Sequence, residues 1–210
     1  MSQAPEEPAA AEFPRTDQID FARGFLIGPV GRVATFPSWW REEVFDEFSV
    51  AYDPRLQWTV SADGSIALLG HVFDVTAGNR STQEIAEGLA HGLRTDSADF
   101  QAQVDVLCGR FIILSSDAEG THLQADAVGL RSTFFATKEH PPYLASHEAL
   151  LAQHLEAGPS VFGAPRFLRE NNLPVMPGRA TRIAGVKVLT PNTSLHLQSR
   201  TTRRIFDGSG

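Results

Sequence analysis

The chain predicts an α+β fold of stacked antiparallel β-sheets flanked by helices, and three observations predict it. Short apolar runs separated by turn residues dominate residues 21–73. Two consecutive segments with helical spacing then interrupt them, and a second group of strand-like runs follows from residue 109. Two groups of strands with an inserted helical pair suit packed sheet layers rather than alternating strand-helix units.

Residues 21–28 form an apolar run closing on Gly28 and Pro29, which reads as a buried first strand and its turn. Residues 36–40 are aromatic and bent by Pro37, and the run 48–52 alternates weakly before stopping at Asp53 and Pro54. The sequence Ser-Ala-Asp-Gly at 61–64 is a hairpin turn feeding a strong strand at 66–73. Ser81 followed three residues later by Glu84 is a capping box, so a helix begins there and carries Ile85, Leu89 and Leu93 on one face. Phe100, Val104 and Leu107 have the spacing of a second helix that leads into the strand after Gly109. Helices over about 147–155 and 161–169 are expected before a final pair of strands.

At 210 residues and 42% hydrophobic content, one sizeable core is the simplest organisation. Residues 1–17 are rich in Pro, Ala and Glu and read as a disordered tail; the domain spans 18–206, and 207–210 form a flexible finish. A net charge of -7 argues against nucleic acid or an anionic membrane as the partner, since both need clustered positive charge. No apolar run approaches the roughly 20 residues that cross a bilayer, and the N-terminus lacks the basic start and apolar core of a signal peptide. The lone Cys108 excludes an internal disulfide framework and a thiolate zinc cluster, so the cytoplasm is the expected compartment.

The stretch 107–151 is the most informative. Gly109 with the apolar run 111–114, the turn 117–120, Asp126, Gly129, the run 134–136, and Ala145-Ser146-His147-Glu148 before Leu150 and Leu151 follow in a fixed order. A second set, at 173–178, 183–189 and 191–197, closes the chain. Together these segments resemble the class II glutamine amidotransferase domain of asparagine synthetases and their relatives. The resemblance spans roughly residues 21–206 and implies the four-layer αββα arrangement of N-terminal nucleophile hydrolases.

The resemblance also implies a chemistry that the residues do not supply. The family uses an N-terminal cysteine, its thiol as nucleophile and its α-amine as base, placed at the first residue of the first strand. Here Met1 and Ser2 precede some 18 tail residues, and a nucleophile on such a tether forfeits most of the advantage of positioning. Thr16 is the one chemically suitable residue nearer the strand, and it reads as part of the exposed leader. The family's Asn-Gly oxyanion pair falls on Leu69 and Gly70, which keeps a backbone donor but no amide. Loss of one such donor typically costs about 2.7–4 kcal/mol of transition-state stabilisation. The arginine that holds the glutamine carboxylate aligns with Glu47, of the wrong sign, and the acidic group that reads the amine aligns with Thr82. Glu47, Leu69, Gly70 and Thr82 therefore mark a vestigial pocket, with no catalytic residue assigned.

Other residues have plainer readings. Cys108, between Leu107 and Gly109, is expected to be a buried, inert thiol. His71, His91, His122, His140, His147, His154 and His196 lack close ligand spacing, and no metal or cofactor is expected. Asp126 and Arg131 flank Gly129 and are expected to fix that turn by hydrogen bonds, with a ligand-pocket role as the alternative. Trp39, Trp40, Phe45 and Phe48 read as a packed aromatic cluster, the sharper alternative being a partner patch. No Gly-x-x-x-x-Gly-Lys-Ser/Thr or Gly-x-Gly-x-x-Gly run offers a nucleotide site.

The resulting expectation is a catalytically degenerate amidotransferase-like domain, structural or regulatory, partnered with a synthetase domain or a second copy of itself. The alternatives are an active glutaminase or other N-terminal nucleophile amide hydrolase, and a module that binds a small amino acid.

Overall fold

The computed structural model describes residues 21–137, 142–160, 176 and 178–205. The leader with Ser2 and Thr16, the helix expected at 161–169, and His140 lie outside the described residues.

β1 (Phe25–Pro29), β2 (Arg41–Phe45), β3 (Phe48–Tyr52), β8 (Phe134–Ala136), β9 (Leu144–Ala145) and β10 (Val186–Val188) form one sheet, in the order β10-β8-β9-β1-β3-β2. β4 (Trp58–Val60), β5 (Ile66–Asp74), β6 (Leu107–Asp117), β7 (Gly120–Ala125), β11 (Thr193–His196) and β12 (Thr202–Arg204) form the other, in the order β12-β11-β7-β6-β5-β4. All pairings among the described strands are antiparallel.

Alternation along the strands assigns each apolar residue to a layer. Phe25, Ile27, Phe48 and Val50 of the first sheet meet Ala67, Leu69, Ile112 and Leu114 of the second in the central core. Leu26 and Ala51, on the opposite face, pack with Leu150 and Leu151 of α3 (Glu148–His154). Ile66, Leu68 and Phe111 pack with Ile85 and Leu89 of α1 (Thr82–Thr95) and Val104 of α2 (Ser97–Asp105). The layers therefore run helix, sheet, sheet, helix, as expected. Burial on both faces also explains why β3 reads as a nearly continuous apolar run: all five of its residues are buried.

The capping box at the start of α1 is present. The Ser81 side chain accepts from the Glu84 N–H, and the Glu84 carboxylate accepts from the Ser81 N–H. Asp96 then joins the two helices: its N–H bonds the Gly92 carbonyl at the end of α1, and its side chain accepts from the Ala98 N–H at the start of α2.

Several expectations need correction. β1 starts at Phe25 rather than Phe21, because Phe21 and Arg23 adopt φ values of 56° and 54°, which turn the chain before the strand begins. β2 was not foreseen; as an edge strand it carries Arg41, Glu42 and Glu43 outward and buries Phe45 alone, so it has no apolar period. Cys108 is exposed, opposite Phe73 in the β5–β6 ladder, because the buried positions of β6 begin in earnest at Phe111. The aromatic cluster divides between layers: Phe45 and Phe48 lie in the central core, whereas Trp39 and Trp40 sit in the turn before β2 and pack on the α3 side.

Candidate functional site

A cavity of about 310 Å³ opens where β1, β6, the turn after β7 and the start of α3 meet. Arg23, Arg110, Arg131, Phe134, Ser146 and His147 line it, with Glu148 and Ala149 at one side.

Its floor comes from the turn after β7. Gly129 (φ 69°) donates its N–H to the Asp126 carbonyl, and the Asp126 carboxylate accepts from the Leu130 and Arg131 N–H groups at 2.8 and 2.7 Å. With the backbone so fixed, the Arg131 side chain points into the protein and is only 2% exposed. Nη1 donates to the Arg23 carbonyl at 2.7 Å and Nη2 to the Arg110 carbonyl at 3.2 Å, while Nε has no partner among the described residues. Among the described residues no carboxylate forms a salt bridge with it. Burial, reinforced by the Arg110 charge, lowers its pKa to about 10 despite opposing attraction from Asp126.

The turn at 21–24 forms one rim. Gly24 N–H bonds the Phe21 carbonyl, and Asp53 secures the turn twice, its carboxylate accepting from the Arg23 N–H and its own N–H reaching the Gly24 carbonyl. Burial works to raise the Asp53 pKa, but hydrogen bonds from the Arg55 side chain and from the Arg55 and Arg23 backbones prevail and lower it.

The opposite rim comes from β9 and α3. Ser146 Oγ accepts the Phe25 N–H at 2.9 Å and lies 2.8 Å from His147 Nδ1. That hydroxyl is buried and engaged with backbone and imidazole, so it positions the ring. The Phe21 ring meets His147 edge-on at 5.5 Å. Burial, followed by the Arg110 and Arg131 charges, lowers the His147 pKa and favours a neutral ring.

No protein family and no curated protein sequence matches the chain. Solved structures similar to it in shape include two enzymes. The allosteric regulatory enzyme of purine biosynthesis aligns over 89% of this chain and 43% of its own, with 13% identity and a TM-score of 0.47. Glutamine phosphoribosylpyrophosphate amidotransferase from B. subtilis, complexed with ADP and GMP, aligns over 77% of this chain and 36% of its own, with 14% identity and a TM-score of 0.43. The chain thus spans less than half the length of either.

The four residues expected at a vestigial pocket lie in three places, and none lines this cavity. Leu69 is fully buried between the sheets. Gly70, beside it, donates its N–H to the Gln57 carbonyl at 2.8 Å. Glu47 sits in the β2–β3 hairpin, where its carboxylate accepts from Gln198 Nε2 at 2.6 Å and its carbonyl from the Val30 N–H. Thr82 opens α1.

Asp126 and the Arg131 N–H fix the turn by a hydrogen bond as expected, and the Arg131 side chain lines the cavity. Arg23, Arg110 and His147 were not singled out as a group, and no sequence motif joins them. The other histidines are scattered: His122 and His196 meet edge-on at 4.7 Å, and His196 is engaged through both ring nitrogens with Glu119 and Ser199. Among the described residues no three His, Cys, Asp or Glu side chains converge as metal ligands, and no helix is long and apolar enough to cross a membrane.

Proposed function

We propose that the chain is an amidotransferase-like module without glutaminase activity, related to that of asparagine synthetases, which acts structurally or as a regulator on a synthetase domain or partner chain. The observation that carries this reading is the start of β1. The family resemblance calls for a nucleophile with a free α-amine at the first residue of the first strand. Here that residue is Phe25, fully buried, its nitrogen an ordinary peptide N–H bonded to Ser146 Oγ. An ordered turn tied down by Asp53 precedes it. The one thiol of the chain, Cys108, does not line the cavity.

Incubation with L-glutamine should release ammonia no faster than buffer alone. Turnover abolished by Ser2→Ala or Thr16→Ala would overturn the loss of chemistry. For the partner, co-expression with the product of an adjacent synthetase gene should give a single co-eluting species on size exclusion; separate elution at micromolar concentration counts against that role.

A further inference from the structure

We propose that the arginine-lined cavity binds a small dianionic oxyanion, either a phosphate monoester or a short dicarboxylate, through Arg23, Arg110 and Arg131, with His147 as a further hydrogen-bonding group. Among the described residues none of these three arginines forms a salt bridge with a carboxylate. Arg131 is 2% exposed, its Nε lacks a partner among the described residues, and its two other nitrogens meet backbone carbonyls. Leaving a guanidinium buried and unpaired is costly, and an anion entering the cavity removes that cost.

The nearby acids are committed elsewhere. Asp126 accepts from the N–H groups of its own turn, and Asp53 serves Arg55 and the Arg23 N–H. Glu148 is the one carboxylate among the described lining residues, and its Oε2 accepts from the Arg182 N–H. Among the described lining residues three guanidinium groups face one carboxylate, with Asp126 and Asp53 behind Arg131 and His147 neutral, so the wall that a ligand meets is positive. That wall stands out in a chain of net charge -7. A dianion gains more from it than a single carboxylate does.

Size and lining limit the ligand further. A cavity of about 310 Å³ lies at the lower end of small-molecule sites, and Phe134 and Ala149 offer an apolar wall for an organic body.

Calorimetric titration of the full chain at low salt with inorganic phosphate, succinate and acetate tests the proposal. Saturable one-to-one binding of phosphate or succinate is expected, with acetate at least about five-fold weaker, and Arg110→Gln and Arg23→Gln should each weaken the dianion at least about five-fold. Both arginines are exposed, so these variants should fold. Arg203→Gln, on the distant β12, makes the same charge change and should leave affinity unaltered. Phosphate binding alone assigns a phosphorylated ligand, and succinate binding alone a dicarboxylate. Absence of saturation by either below about 10 mM, equal affinity for acetate, or equal loss in Arg203→Gln would overturn the proposal. A shift of the His147 imidazole resonances during titration locates binding in this cavity; unmoved resonances at saturation would place it elsewhere and also overturn it.

Discussion

Gly70 allows the Arg110 carbonyl to reach Arg131. Its φ is 119°, and a Cβ there would lie 2.3 Å from the Arg110 carbonyl oxygen and 3.0 Å from the Phe111 Cα. Both are backbone atoms of β6, which cannot swing aside as a side chain would. Gly70→Ala should therefore destabilise the fold by about 1–3 kcal/mol, read as a lowered urea midpoint, and it should disturb the Arg110 acceptor as well. At His147 the prediction concerns pH. Burial and the Arg110 and Arg131 charges lower its native pKa, so the unfolded chain takes up a proton that the native state refuses. Stability from this residue is complete above the unfolded value of about 6.5 and falls as the pH drops below it. Urea titrations of the wild type and His147→Gln should converge between about pH 7.5 and 5.5 as the wild type loses its advantage; parallel curves would sink this account. Little of the cavity was legible in the sequence at this scale. Arg131 stood out beside Asp126 and Gly129, but its inward direction depends on carbonyls of residues 23 and 110, which are 108 and 21 positions away.

At the scale of elements, α1 is the clearest case of local chemistry setting structure. Ser81 and Glu84 satisfy each other's backbone N–H groups at 3.2 and 2.7 Å, and α1 buries Ile85 and Leu89 one turn apart. Ser81→Ala should cost about 1 kcal/mol and leave the slope of the urea transition unchanged, since a cap is lost without a change in the surface buried. Elements with such local signals were legible: the hairpin at 61–64, the helix after Ser81, and the long strand after Gly109 all form near the expected residues. β2 was not, because an edge strand paired only through its backbone needs no apolar pattern. The start of β1 was misplaced for a related reason. Phe21 is apolar, but it packs on His147 from a turn, and the hydrogen bonds that impose that turn come from Asp53 and Arg131.

For the whole molecule, the packing of the two sheets against each other is the main structural demand, and Leu69 lies at its centre. Leu69 alternates with Leu68 across β5, so one faces the opposite sheet and the other faces α1. Leu69 meets the inner faces of β1, β3, β6, β7 and β11 in a single apolar cluster, a setting in which a side-chain amide would have to find buried partners. Leu69→Ala should then behave as a large-to-small core change, costing about 2–5 kcal/mol through lost burial and the cavity left behind. Thr82, at the partly exposed start of α1, makes no side-chain hydrogen bond among the described residues, and Thr82→Ala should stay within about 0.5 kcal/mol of the wild type. Neither change touches the arginine-lined cavity, so phosphate or succinate affinity, measured where both variants remain folded, should be unchanged in each. Urea unfolding and calorimetry on the same two proteins separate the alternatives. A small cost at Leu69 would mean that its side chain contributes little to the packing between the sheets; a large cost with intact binding means that Leu69 holds the two sheets together and that the arginine-lined cavity is independent of it.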